Sequence, residues 1–224
     1  MSTSKSPGAR PDPARRADRS AAAPGPAGVR PVAGLGRAAM VLASLWTMIT
    51  IAMAVAAPSA VRQAAEATVP FTGYVMLQLA LAALLPVTYV VSCLFLSRAR
   101  ANTIAMDPHA DHKRSQVWLW LGWIFPVLNL WFPYRVVADI VRASAAPVSS
   151  SVLTAWWATW LLAQWSAATA SSAVQSSQLA NLPAVSWLAA GASLASLVCW
   201  VAILQRVSAA QAAYADRGAL PGQR

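Results

Sequence analysis

Long apolar runs separated by short charged links set the pattern of this chain. No Asp, Glu, Lys or Arg falls between Arg37 and Arg62, between Glu66 and Arg98, between Arg114 and Arg135, or between Arg142 and Arg206. A helix needs about 20 apolar residues to cross a hydrocarbon core. The runs therefore predict an all-α, polytopic membrane protein with four transmembrane helices, over residues 38–57, 70–97, 152–173 and 183–207. Pro58 is expected to stop the first span, Pro70 to start the second, and Pro86 to kink it. The first run is too long for the apolar region of a cleaved leader, which is ~7–15 residues, so it reads as an uncleaved span. The spans belong to one membrane domain over 37–207. Residues 1–36 are rich in Pro, Ala, Ser, Gly and Arg without apolar periodicity, and read as a disordered basic tail. Residues 208–224 read as a second, frayed tail.

Residues 117–144 break this pattern. The run from Val117 to Phe125 rises only about 13 Å at ~1.5 Å per residue, less than half the hydrocarbon thickness. Pro126 and Pro133 then bracket Asn129, which predicts a half-inserted, Pro-broken hairpin. Pro133 suits the first turn of a new helix. In that helix Val136, Val137, Ile140 and Val141 form an apolar stripe, while Arg135, Asp139 and Arg142 form a polar face with i,i+4 and i,i+3 spacing. This predicts an amphipathic helix lying in the membrane interface. Trp118, Trp120, Trp123 and Trp131 are expected at headgroup level.

Charge sharpens the topology. The chain carries 17 Lys and Arg against 7 Asp and Glu, a formal charge of +10. The cations flank apolar runs instead of interleaving with stacking aromatics, which excludes nucleic acid as a partner and fits the positive-inside rule. With four spans both termini are cytoplasmic and every Lys and Arg except Arg62 lies inside. Were Trp118–Phe132 to cross, Arg135, Arg142, Arg206, Arg217 and Arg224 would move outside as well, so four spans are preferred. A composition of 58% apolar and 11% charged residues agrees with a chain largely immersed in lipid.

Candidate chemistry is sparse. Asp107, His109, Asp111 and His112 have a metal-like composition, yet Pro108 breaks any shared face and no other His exists, so a solvated loop is expected and no metal or cofactor is assigned. Cys93 and Cys199 lack the spacing of a redox or metal pair and read as inert buried thiols. Gly191 and Ala195 form a small-xxx-small pair, expected to serve packing within the chain before a dimer face. The sequence leaves homo-oligomerisation open. Gln164, Gln175 and Gln178 are expected to join helices.

One set of motifs resembles a known family. Arg98-x-Arg100-x-Asn102, followed after a loop by Trp123-x-Phe125-Pro126-x-x-Asn129-x-Trp131-x-Pro133 and then by Asp139 and Ser144, resembles the actinobacterial membrane family called domain of unknown function 4328. The resemblance covers roughly residues 38–207. It implies a four-span domain of the bacterial cell membrane and assigns no biochemical role.

No catalytic constellation appears: there is no HExxH, GxSxG or phosphate-binding glycine loop, and no ionisable residue at bilayer depth. An enzyme is therefore not expected. The leading expectation is a structural or interaction protein whose residues Arg135 and Arg142 contact anionic lipid or a membrane-protein partner. The alternative is a small channel or facilitator with a cavity near Pro126–Pro133, in which Asn129 supplies a polar group. Against that alternative, Asn129 is expected to cap the hairpin by bonding local backbone.

Overall fold

The computed structural model describes residues 28–66, 72–107, 117–123, 125, 127–176 and 178–219. Six α-helices occur among them: α1 (Ala33–Glu66), α2 (Thr72–Met106), α3 (Val117–Leu121), α4 (Phe132–Ala143), α5 (Ser150–Gln175) and α6 (Leu182–Ala219). Single 3-10 turns at Leu128–Leu130 and Leu179–Asn181 lead into α4 and α6. Three helical stretches, Ala33–Glu66, Gly73–Met106 and Leu179–Arg217, are long and apolar enough to cross a membrane. Helix α5, with 26 residues rich in Trp, Ser and Thr, is not among these three stretches.

The helices form an antiparallel bundle in which α6 is central, packing along both α1 and α5, while α2 packs along α1. Small residues make these contacts close. Helix α1 buries Gly36, Ala39, Thr47, Thr50, Ala54, Ala57 and Ala60 along one seam. Helix α6 likewise buries small residues, Ser186, Ala189, Ala190, Ser193 and Ser196. At this spacing backbones approach and dispersion replaces the hydrophobic effect as the source of association. Gly36 marks a close approach, since a Cβ there would lie 3.2 Å from both the Phe95 ring and Ser208 Oγ, tighter than ordinary contact. No extensive interface joins α2 to α5, so one side of the bundle is less tightly closed.

Several boundaries differ from the sequence expectations. Pro58, expected to stop the first span, lies inside α1, while Pro86 lies inside α2 as its mid-run position predicts. Pro58 is exposed, and the hydroxyl of Ser59 bonds Ala56 O at 2.7 Å. The N-terminal tail gives way to structure before Gly36: Val32 is 3% exposed and α1 begins at Ala33. The C-terminal tail is not frayed at 208–219, because Gln211 is 1% exposed and α6 continues to Ala219. Gly191 meets nothing within 4 Å of an added Cβ and is exposed together with Ala195, so this pair makes no helix contact within the chain.

Candidate functional site

Two polar arrangements lie inside the bundle. The first is a clamp at the end where α1 starts and α6 finishes. Gln211 Nε2 donates to Ala99 O and to Ser144 Oγ, both at 2.9 Å, and its Oε1 accepts from Asn102 Nδ2 at 2.7 Å. Asn102 also donates to Arg30 O at 2.8 Å and accepts from Arg30 N at 2.9 Å. Asn102, Ser144 and Gln211 are all 2% exposed or less. Both amide side chains therefore have donors and acceptor engaged, the condition under which buried amides stabilise a fold. The clamp joins the chain before α1 and the ends of α2, α4 and α6, so these four points share one end of the molecule. Ala145, which follows Ser144, adopts a positive φ of 48° to turn the chain toward α5.

Above the clamp lies the broken segment. Its apolar stripe, Val136, Val137, Ile140 and Val141, is 1–5% exposed and packs into the main core with Phe95, Leu96, Ile203 and Leu204. The expectation that this stripe faces lipid is therefore corrected, because the bundle end supplies the apolar surface it covers. The irregular backbone is satisfied from neighbouring helices. Tyr89 OH donates to Trp120 O at 2.7 Å, Trp157 Nε1 to Leu130 O at 2.9 Å, and Cys93 Sγ lies 3.8 Å from Leu119 O. Non-helical backbone in an apolar setting persists only where protein meets its hydrogen bonds in this way.

The second arrangement is a cavity of about 330 Å³ between this segment and all four long helices. Trp46, Trp123, Trp156, Trp160 and Trp200 line it, with Thr47, Thr88, Tyr89 and Asn129 among the polar groups. The tryptophans brace one another. Trp156 stacks on Trp200 at 5.0 Å, Trp157 on Trp160 at 4.8 Å, and Trp123 meets Trp160 edge to face at 5.6 Å. Apolar packing bounds the cavity at both ends. Phe95, Leu96, Ile203, Leu204 and Val207 lie toward the clamp, and Met53, Ala57, Ala60, Ala170 and Leu182 toward the other end.

The residues singled out by sequence separate into different roles. Asn102 and Ser144 belong to the clamp. Trp123 and Asn129 line the cavity, and Asn129 Oδ1 is buried without a hydrogen-bond partner among the described residues. The expected hairpin cap through this oxygen is thus absent, because the turn closes through backbone, with Asn129 N bonding Phe125 O at 2.8 Å. Pro133 is buried at the start of α4. Phe125 and Trp131 are 50% and 40% exposed. Asp139 Oδ1 pairs with Arg142 Nη1 at 3.2 Å and attracts Arg100, while Arg98, Arg135 and Arg142 are exposed. Trp120 and Trp123 are half-buried and pack against the core. Pro126 and the loop with His109, Asp111 and His112 lie outside the described residues, as does the side chain of Trp118. Sequence reading missed Gln211 and Gln78 as the cross-linkers, the latter donating to Ser171 Oγ at 3.0 Å. Of the glutamines it chose, Gln164 lines the cavity and Gln175 bonds Ser171 within its own helix. An isolated Gln in a tail of small residues was the available signal.

An all-helical bundle with three helices long and apolar enough to cross a membrane, closed at one end by a buried amphipathic cap, is consistent with a helical membrane protein. The family model described as a domain of unknown function, DUF4328, matches residues 59–212, more than half of the chain, and the protein belongs to that family. No curated protein and no solved structure matches it.

Proposed function

We propose that the protein is a four-span component of the bacterial cell membrane, with both termini cytoplasmic, that acts by binding and not by catalysis. Its cytoplasmic end is a cationic platform for anionic lipid headgroups. Helix α5 is the fourth span: 26 residues reach about 39 Å at ~1.5 Å per residue. The observation that carries the platform is the burial of the α4 stripe, which leaves the exposed Arg135 and Arg142 as the outward side of the cap. Arg30, Arg37, Arg98, Arg206 and Arg217 are exposed on segments that end beside the same clamp. Clustered cations attract anionic lipid at on the order of 1 kcal/mol each near the surface.

The channel reading gains less support, since apolar packing bounds the cavity at both ends. The platform is tested by purifying wild type and the double variant Arg135→Glu, Arg142→Glu from the same membranes. The anionic phospholipid retained per protein is then measured, with tryptophan emission as the check on folding. The double variant is expected to lose most of the retained anionic lipid. Unchanged retention by a folded variant overturns the platform.

A further inference from the structure

The cavity between the broken segment and the four long helices holds polar groups that the fold leaves unused. Ser193 and Ser196 lie one turn apart on α6, are 8% and 7% exposed, and line the cavity. Neither hydroxyl bonds another described residue, nor do the side chains of Ser92 on α2 and Gln164 on α5, which line it too. A buried hydroxyl without a partner costs stability, so native proteins leave few of them unexplained. Each of these four side chains can both donate and accept. Thr47, Thr88 and Tyr89 give their protons to Ala43 O, Leu84 O and Trp120 O, and so have only lone pairs left to offer. The lining indoles can only donate. An occupant that satisfies this mixture must itself both donate and accept.

Charge and access narrow the occupant further. Among the described residues no Asp, Glu, Lys, Arg or His lines the cavity, so an ion entering it would lose its hydration with no counter-charge. Helices α2 and α5 share no extensive interface, but Gln78 Nε2 ties one to the other at Ser171 Oγ, 3.0 Å away. Leu85 lies seven residues after Gln78 and Gln164 seven before Ser171, about 10 Å along both antiparallel helices at ~1.5 Å per residue. Both Leu85 and Gln164 line the cavity and both are exposed. They mark a sideways mouth near the middle of both helices. Ala43, Leu85, Ala163 and Leu197 supply aliphatic lining. A volume of about 330 Å³ has room for about ten non-hydrogen atoms at ~30 Å³ each, the share of one water in the liquid.

We propose that this cavity binds an uncharged long-chain alcohol drawn from the bilayer, with its hydroxyl at Ser193 and Ser196 and its chain leaving through the mouth past Leu85. An alcohol donates and accepts as the lining requires, whereas a ketone or ester only accepts and a fatty acid ionises. The site rests on the reading of α5 as a fourth span, which sets the mouth in hydrocarbon.

The probe is tritiated 1-dodecanol, titrated into the full chain in zwitterionic lipid nanodiscs, with empty nanodiscs as the background for partitioning. The competitor is unlabelled 1-methoxydodecane, which keeps the chain and the acceptor and loses the donor. Wild type is expected to take up the alcohol saturably and to bind the ether about fivefold more weakly, the usual effect of one hydrogen bond. The double variant Ser193→Ala, Ser196→Ala, which barely alters packing, is expected to bind the alcohol about tenfold more weakly than wild type. Absence of saturable uptake would mean a water-filled cavity only and would overturn the proposal. Equal affinity of wild type for alcohol and ether, or a folded double variant with unchanged affinity, would overturn it as well. If the double variant fails to fold, the wild-type comparison alone decides. The fourth span is checked separately with Gln164→Cys in a Cys199→Ser background. Labelling of that cysteine by a water-soluble maleimide would place the mouth in water and overturn both the site and the span. An unlabelled cysteine without saturable uptake would overturn the site alone. The lipid in these discs is zwitterionic, so failure of the platform leaves the result unaffected.

Discussion

Replacing Gln211 by Leu isolates the contribution of the clamp. The two side chains are similar in volume, so the substitution removes hydrogen bonds with little change in packing. Three bonds disappear: those to Ala99 O, to Ser144 Oγ and from Asn102 Nδ2. Each buried bond contributes about 1 kcal/mol net. The abandoned partners are partly protected, since Asn102 keeps its bonds to Arg30, and the added Leu surface offsets little because the site is already dry. The expected loss is about 3 kcal/mol, a roughly 150-fold fall in the ratio of folded to unfolded protein at ~1.4 kcal/mol per tenfold. Unfolding by SDS in mixed micelles provides the measurement. The readout is modification of Cys93, which is 1% exposed in the folded state, in a Cys199→Ser background. Asn102→Leu should have a similar effect, and the double variant should lose less than the two single losses combined, because both remove the same Asn102–Gln211 bond. A Gln211→Leu protein as stable as wild type, or strictly additive losses, would refute the reading of these residues as one cooperative unit.

Other consequences follow from single contacts. Asn129→Leu should stabilise the protein by about 1 kcal/mol, read in the same SDS titration, because it removes a buried acceptor that has no partner among the described residues. A destabilised variant would mean that this oxygen is satisfied in solution. Gly36→Leu should cost about 2 kcal/mol by overpacking against Phe95 and Ser208. Gly191→Ala, where the added carbon meets open space, should be neutral or raise stability by up to ~1 kcal/mol through helix propensity. Trp157→Phe should cost about 1 kcal/mol by releasing Leu130 O. It should also increase proteolysis within the broken segment, and unchanged cleavage would count against that anchor.

Residues 117–144 separate what was legible in the chain from what was not. That Pro126, Asn129 and Pro133 interrupt a helix and that α4 is amphipathic was readable, because both follow from local backbone chemistry and a 3.6-residue period. What the stripe Val136, Val137, Ile140 and Val141 lies against was not readable. Lipid and protein interior are equally apolar, so the period reports that a face is buried and is silent on the medium that buries it. The same ambiguity explains Gly191 and Ala195, whose small side chains suggested a contact and instead face outward.

Composition and spacing within single stretches set the helical class and the long apolar helices, since neither needs a partner distant in the chain. Tertiary structure alone decided which polar groups meet. Gln211 finds Ala99, Asn102 and Ser144 across separations of 112, 109 and 67 residues. The cavity exists only where four helices and the broken segment converge around Asn129. A hydrogen bond requires two groups in register at about 3 Å. Periodicity constrains each helix separately, and only the packing of one helix against another fixes that register.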